Sequence, residues 1–202
     1  MFTGLVTDVG EVASIEPRGD LNRVRILCSY PAEGIALGAS IACGGPCLTA
    51  VAIGTSGDKT WFEVDVAAET LARTTASAWR AGTRVNLERS LKIGDELGGH
   101  LVTGHIDAMA EILAIDAFDG MKRFSIRVPH ELARFIAEKG SVSLDGTSLT
   151  VNEVEGDVFS VLMIPHTLAV TTWDERQAGD KINLEIDLMA RYAARLAGAD
   201  KA

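Results

Sequence analysis

The chain has little cysteine, little positive charge and no long apolar run. Three cysteines, Cys28, Cys43 and Cys47, occur in 202 residues. So sparse and odd a set argues against a disulfide framework and for a reducing, cytoplasmic setting. Lys and Arg number 19 against 28 Asp and Glu, giving a net charge of −9. Without a basic cluster, neither a nucleic acid nor an anionic membrane surface is expected as a partner. No apolar stretch reaches the ~18 residues of a membrane span. The opening MFTGLVTDVGE has neither the basic nor the apolar region of a secretory signal, so none is expected. Against these shortages, 47% of the residues are hydrophobic. That is enough to bury a core, in one large domain or two small ones.

What the chain does have is a repeat of itself. Thr3-Gly4-Leu5-Val6 returns as Thr103-Gly104-His105-Ile106 at an offset of 100. Gly45-Pro46-Cys47-Leu48-Thr49 returns as Gly146-Thr147-Ser148-Leu149-Thr150 at an offset of 101. Glu69-Thr70-Leu71-Ala72 and Val85-Asn86-Leu87-Glu88 match His166-Thr167-Leu168-Ala169 and Ile182-Asn183-Leu184-Glu185, both at 97. Matches in one order at nearly one offset indicate two copies of a unit. The expectation is two tandem domains, 1–100 and 101–197, with SLKIGDELGGH (90–100) connecting them.

Both copies read as β. RVRILCS, GASIACG, WFEVDVA and TRVNLER in the first half, and RFSIRVP, GSVSLDG, TVNEV, VFSVLMI and KINLEID in the second, are short and rich in Val and Ile. Gly, Asp and Ser separate them as turns, the pattern of an all-β barrel or sandwich. A barrel would leave no edge exposed. Helices are few. PHELARFIAE (129–138) puts Leu132, Phe135 and Ile136 on one face, with Gly140 to end it. A C-terminal helix over 188–202 aligns Leu188, Tyr192 and Leu196, a stripe that either caps its own barrel or meets partner subunits.

MFTGLV, the GPCLT and DGTSLTV pair, LGGHLVTGHID and NLEID together resemble the riboflavin synthases, a family of duplicated lumazine-binding barrels. The resemblance spans nearly the whole chain. It implies two six-stranded Greek-key barrels, a homotrimer assembled through the C-terminal helix, and no metal or other cofactor. It also implies a transferase reaction: two molecules of 6,7-dimethyl-8-ribityllumazine yield riboflavin and 5-amino-6-(D-ribitylamino)uracil. Lumazine synthase is a further partner it suggests. The physical logic fits a duplicated chain, since one molecule used twice needs two similar pockets. Holding both substrates face to face can contribute roughly 7–11 kcal/mol. The substrate's ring methyl is acidic and its anion is stabilised by the ring, so modest acid–base help is enough.

On this resemblance Gly4, Leu5 and Val6, and Gly104, His105 and Ile106, are candidate contacts to the flat ring. Cys47, Leu48 and Thr49, and Ser148, Leu149 and Thr150, stand beside it. The segments holding Asp65, Glu69 and Thr70, and Met163, Ile164, Pro165, His166, Thr167 and Leu168, are expected to grip the ribityl chain. Phe2 and Ser40 are matched by position, and Lys139 as a substrate contact. The candidate catalytic set is Cys47, Ser148, His105, Asp187, Phe2 and Ser40. His105 is the best proton shuttle by chemistry, its alternative being a histidine satisfied in the core. Asp187 either moves a proton or caps the following helix. His100 reads as structural. His100 with His105, and Cys43 with Cys47, have spacings that raise a metal site, but no further ligand joins either pair, so zinc is rejected. The copies differ at Leu5/His105, Gly38/Lys139, Cys47/Ser148, Glu69/His166 and Ser90/Asp187, where unequal donor and acceptor roles would be assigned. The competing readings are a non-catalytic lumazine or flavin carrier, a flavin-dependent reductase domain, which would need a nicotinamide-binding partner domain, and a purely structural oligomer.

Overall fold

The structure is a computed structural model that describes residues 1–199. Two closed antiparallel barrels of six strands follow one another. The first is built from β1 (Asp8–Arg18), β2 (Leu21–Cys28), β3 (Ser40–Cys43), β4 (Cys47–Ser56), β5 (Lys59–Ala67) and β6 (Arg84–Arg89). The second uses β7 (Ala108–Phe118), β8 (Met121–Arg127), β9 (Ser141–Leu144), β10 (Thr147–Glu155), β11 (Val158–Met163) and β12 (Lys181–Ile186). The first barrel closes in the order β1-β2-β5-β4-β3-β6, and the second repeats that order strand for strand. Three consecutive hairpin-connected strands, β3, β4 and β5, with β6 returning beside β3, make a Greek key.

Alternation builds each barrel. In β5, Thr60, Phe62, Val64 and Val66 are buried while Trp61, Glu63 and Asp65 face outward. Period two is what a half-buried strand requires. Fully burying each such apolar side chain contributes about 1.5–3 kcal/mol. The cores are separate: Ile26, Phe62 and Leu87 anchor the first, Phe124, Trp173 and Leu184 the second. A third, smaller cluster of Phe2, Ala42 and Val102 lies where the two barrels meet.

Closure needs local bends, and the copies bend at matching places. The register shifts between Val12 and Ser14 in β1 and between Ile112 and Ala114 in β7. It shifts again between Ala50 and Ala52 and between Val151 and Val154. Bulges increase twist and help a sheet curl on itself.

Two helical expectations change. The segment 129–138 is helical only over α2 (His130–Ala133), with Pro129 outside as the cap residue. Leu132 and Phe135 still pack on the second core and Ile136 is buried in it. The apolar face is therefore present without a continuous helix. Lys139 does not sit at a helix end; it adopts a left-handed φ of 63°, as Gly38 does at 81°. Two short helices, α1 (Ala68–Arg73) and α3 (Pro165–Val170), follow β5 and β11. The C-terminal helix α4 runs Leu188–Ala199, and the rest of its expected span, 200–202, lies outside the described residues. Among the described residues no helix is long and apolar enough to cross a membrane.

Candidate active site

The two Thr-Gly segments cross between barrels. The carbonyl of Gly4 accepts the Ser148 N–H at 2.8 Å, and that of Gly104 accepts the Cys47 N–H at 2.9 Å. Each rim thus pairs the Thr-Gly segment of one copy with the Cys/Ser-Leu-Thr strand of the other. The glycines are demanded by this approach. Gly4 and Gly104 have φ of 75° and 76°, and a Cβ on either would lie 2.6 Å from Ser148 or 2.5 Å from Cys47.

Buried glutamates hold these segments. Glu88 accepts from Thr3 N at 2.7 Å, Thr3 Oγ1 at 2.8 Å and Gly4 N at 2.9 Å. Glu185 does the same for Thr103 and Gly104, at 2.7, 2.7 and 2.8 Å. Burial raises the Glu88 carboxyl above its usual range, against the lowering pull of those hydrogen bonds. Neither glutamate was a sequence candidate. The repeat carried the signal, because Asn-Leu-Glu recurs in both copies and sets a polar and an acidic residue in the buried run of a strand.

Strand alternation sorts the candidates. In Cys47-Leu48-Thr49 the outer two reach the rim and Leu48 turns into the core. Ser148 and Thr150 likewise flank a buried Leu149. Met163 and Leu168 are also core residues, so these four candidates can offer a ligand backbone but little side chain. Phe2 is fully buried and packs behind Cys47 with Ala42 and Val102.

The Cys47 rim encloses a cavity of about 360 Å³ that gathers Cys47, Glu69, Thr70, Gly104, His105 and Ile106. His105 is exposed there. Glu69 is held by Arg73 at 2.9 Å. Asp65 faces away into a two-toothed pair with Arg23, at 2.6 and 2.9 Å, and Arg23 draws its carboxyl below the ordinary range. A second hollow of about 450 Å³ brings Leu5, Ser40 and Ser90 together. Ser40 is also the ladder partner of Thr49. Val6 is half-buried, Ile164, Pro165 and His166 are exposed, and Thr167 is half-buried at the start of α3. Lys139 donates its N–H to the Val151 carbonyl, one residue beyond Thr150. Asp187 accepts from Met189 N at 2.7 Å and so caps α4.

Burial raises the thiols of Cys43 and Cys28, which makes Cys47, the half-buried one, the accessible sulfur of the three. A cleft of about 660 Å³ between the barrels, lined by Trp79, Arg80, Arg84 and Arg176 among others, was not anticipated from sequence. It lies apart from both rims.

The chain is similar to known proteins. The lumazine binding domain model matches twice, over residues 3–90 and 103–187. A riboflavin synthase of Brucella abortus (strain 2308) is 56% identical over 202 residues, covering all of both chains. That of Bacillus subtilis (strain 168) is 35% identical over 96% of this chain and 89% of its own. Among solved structures, LumP complexed with riboflavin superposes with a TM-score of 0.79 at 27% identity, over 92% of this chain and 99% of that one.

Proposed function

The chain belongs to the riboflavin synthase family, and on that footing we propose that it dismutates two 6,7-dimethyl-8-ribityllumazine molecules into riboflavin and 5-amino-6-(D-ribitylamino)uracil by transfer of a four-carbon unit. The observation that carries this reading is the crossed rim. One chain builds two similar sites, each from both copies, so two identical molecules find equivalent but chemically unequal seats. Cys47, Glu69 and the exposed His105 mark one rim; Ser148, His166 and Asp187 mark the other. Backbone at Gly4 to Val6 and Gly104 to Ile106 faces the ring. Thr49, Thr70, Thr150 and Thr167 are placed to meet polar atoms of ring and ribityl chain. Ser40 and Lys139 complete the set.

The domain boundary is set at 100/101, and the enzyme is a cytoplasmic homotrimer joined by α4, whose Tyr192 and Leu196 are 59% and 69% exposed. Such a stripe suits burial against other copies. Lumazine synthase, as source of the substrate, is the partner this chemistry calls for. The test is direct: purified protein is given the lumazine alone and riboflavin is followed by its absorbance and fluorescence. Riboflavin and the pyrimidine in equal amounts are expected. Tight binding with no product would instead identify a carrier.

A further inference from the structure

The outer faces of the two barrels differ at matching strand positions. In the first barrel Arg25 of β2 is the ladder partner of Glu63 of β5 and pairs with it at 2.6 Å. The same guanidinium stacks on Trp61, 4.1 Å from the ring centroid. Trp61 in turn lies flat over its ladder partner Gly54 of β4, where a Cβ would collide with the ring. The second barrel sets Ser125 of β8 opposite Ser160 of β11, and Glu155 of β10 opposite Val158. Ser125 and Ser160 thus stand for Arg25 and Glu63, and Glu155 and Val158 for Gly54 and Trp61. Where the first barrel has an ion pair and a stacked indole, the second has a hollow of about 410 Å³, lined by Ser125, Glu153, Val154, Glu155, Val158 and Ser160.

The lining of this hollow is rich in acceptors. Ser160 alternates with the core residues Phe159 and Val161, so its side chain lies on the outer face. It is nevertheless only 6% exposed, and its hydroxyl is buried without a partner among the described residues, which costs free energy. Glu153 and Glu155 are exposed at the rim. Glu153 reaches Arg123 only loosely, at 3.9 Å, and Arg123 is closer to Asp116, at 3.3 Å. Arg127, the ladder partner of Val158, lends its charge to Glu111 instead and does not line the hollow.

We propose that this hollow seats an arginine side chain presented by a basic partner protein. The guanidinium sits between the Glu153 and Glu155 carboxylates and donates to the Ser160 hydroxyl, while its stem lies on Val158. Arg25 shows within the same molecule that this part of the fold takes a guanidinium. A planar fork of donors matches a hydroxyl flanked by two carboxylates better than a lysine ammonium does. Sites for small ligands bury most of the ligand, whereas this hollow is open along its glutamate rim, so the chain carrying the arginine supplies the rest of the contact. At a net charge of −9, a second copy is repelled and a basic partner attracted. The proposal does not depend on the dismutation reading.

The experiment uses the full-length protein with isotope-labelled valine methyls and follows them by NMR. The probe is the end-blocked peptide Gly-Ser-Arg-Ser-Gly, with lysine and citrulline in place of arginine as controls. Saturable shifts at Val154 and Val158 are expected, with a Kd of about 1–10 mM for one seated side chain. The lysine peptide should bind at least about fivefold more weakly, and the citrulline peptide should leave both valines unmoved. Glu153→Gln combined with Glu155→Gln should weaken binding about tenfold or more. Ser125→Arg combined with Ser160→Glu rebuilds the first barrel's pair in the second. It should fill the hollow and abolish the shifts, with riboflavin formation at the parent's rate. Equal binding of the arginine and lysine peptides would reduce the hollow to a patch of negative field and overturn the proposal. So would undiminished shifts in the double glutamine variant, whose changes are on the surface and spare the fold. A smaller assembly in the Ser125→Arg, Ser160→Glu variant by analytical ultracentrifugation would put a second copy in the hollow and overturn the assignment to a basic partner. A parent protein without turnover would sink the dismutation reading and leave the peptide shifts as they are.

Discussion

Glu88 and Glu185 occupy positions where a charge without partners would be costly, and each is satisfied by three donors from a Thr-Gly segment. Because the segments cross, the consequences should cross too. Glu88→Gln turns an acceptor into a donor facing an N–H, costing about 1–3 kcal/mol, and it should loosen Gly4 against Ser148. Glu185→Gln should loosen Gly104 against Cys47. Titration of each variant with riboflavin should show one site weakened and the other kept. Burial adds a pH signature to Glu88. Its folded pKa lies above the unfolded one, so the folded state holds the proton more tightly. That contribution is full below the ordinary carboxylate range and is lost as pH rises through the raised value. Urea unfolding across pH should therefore show the parent's advantage over Glu88→Gln shrinking as pH rises from about 4. The crossing was not legible in the sequence. A repeat shows that two segments are alike, not which copy each packs against. Gly104→Ala tests the contact itself. A Cβ there would meet the Cys47 backbone at 2.7 Å with φ positive. Weakened ligand binding at the Cys47 rim is expected, along with a stability loss on the order of 1–3 kcal/mol for the strained backbone.

Elements were legible where the period was clean. β2, β5, β6, β8 and β12 alternate or run apolar and were read directly. The longest strands, β1 and β7, were not. Each carries a bulge that resets the period midway, and β1 also holds Gly10 and Pro17, which read as turn residues. The helical reading of 129–138 erred in the opposite sense: the spacing of Leu132, Phe135 and Ile136 came from packing on the barrel, and single turns delivered it. The helix α4 leaves an apolar face open. Its base is tied down by Arg191 to Asp107 at 2.8 Å, while Met189, Tyr192 and Leu196 stay exposed. If this helix joins the subunits, Leu196→Glu should yield monomers by analytical ultracentrifugation and a circular dichroism spectrum like that of the parent. Riboflavin formation should fall below the parent's if turnover needs the assembled subunits.

At the scale of the molecule, what joins the barrels is polar and nearly two-fold. Asn86 donates to the Asp145 carbonyl at 2.9 Å and accepts from Thr172 N at 2.8 Å. Asn183 donates to the Gly44 carbonyl at 2.7 Å and accepts from Thr75 N at 2.8 Å. Both asparagines are buried. They are neighbours of Glu88 and Glu185 in the same strand pair of motifs, two residues apart in each case. One motif, Asn-Leu-Glu, therefore sets both the rim and the clamp in each copy, while Asp145 stands where the first copy has Gly44. Asp145 is a buried carboxylate paired with Arg176 at 2.7 Å, on a left-handed φ of 47°, so the two-fold is broken at the cleft as it is at the rims. The cores do not merge: Phe62 and Phe124 belong to different clusters. Coupling between barrels therefore rests on a few hydrogen bonds and the small Phe2 cluster. Asn183→Ala strands the Gly44 carbonyl and the Thr75 N–H together, costing about 1–3 kcal/mol for each buried group left unpaired. Because that loss falls on the joint and on neither core, the expected change is in cooperativity. The parent should unfold in one calorimetric transition and Asn183→Ala in two. Turnover should fall in step with the separation, since each rim needs the other copy's glycine in place. A variant that melts in one step at an unchanged temperature would show that the Phe2 cluster and the crossed backbone bonds suffice to hold the barrels together.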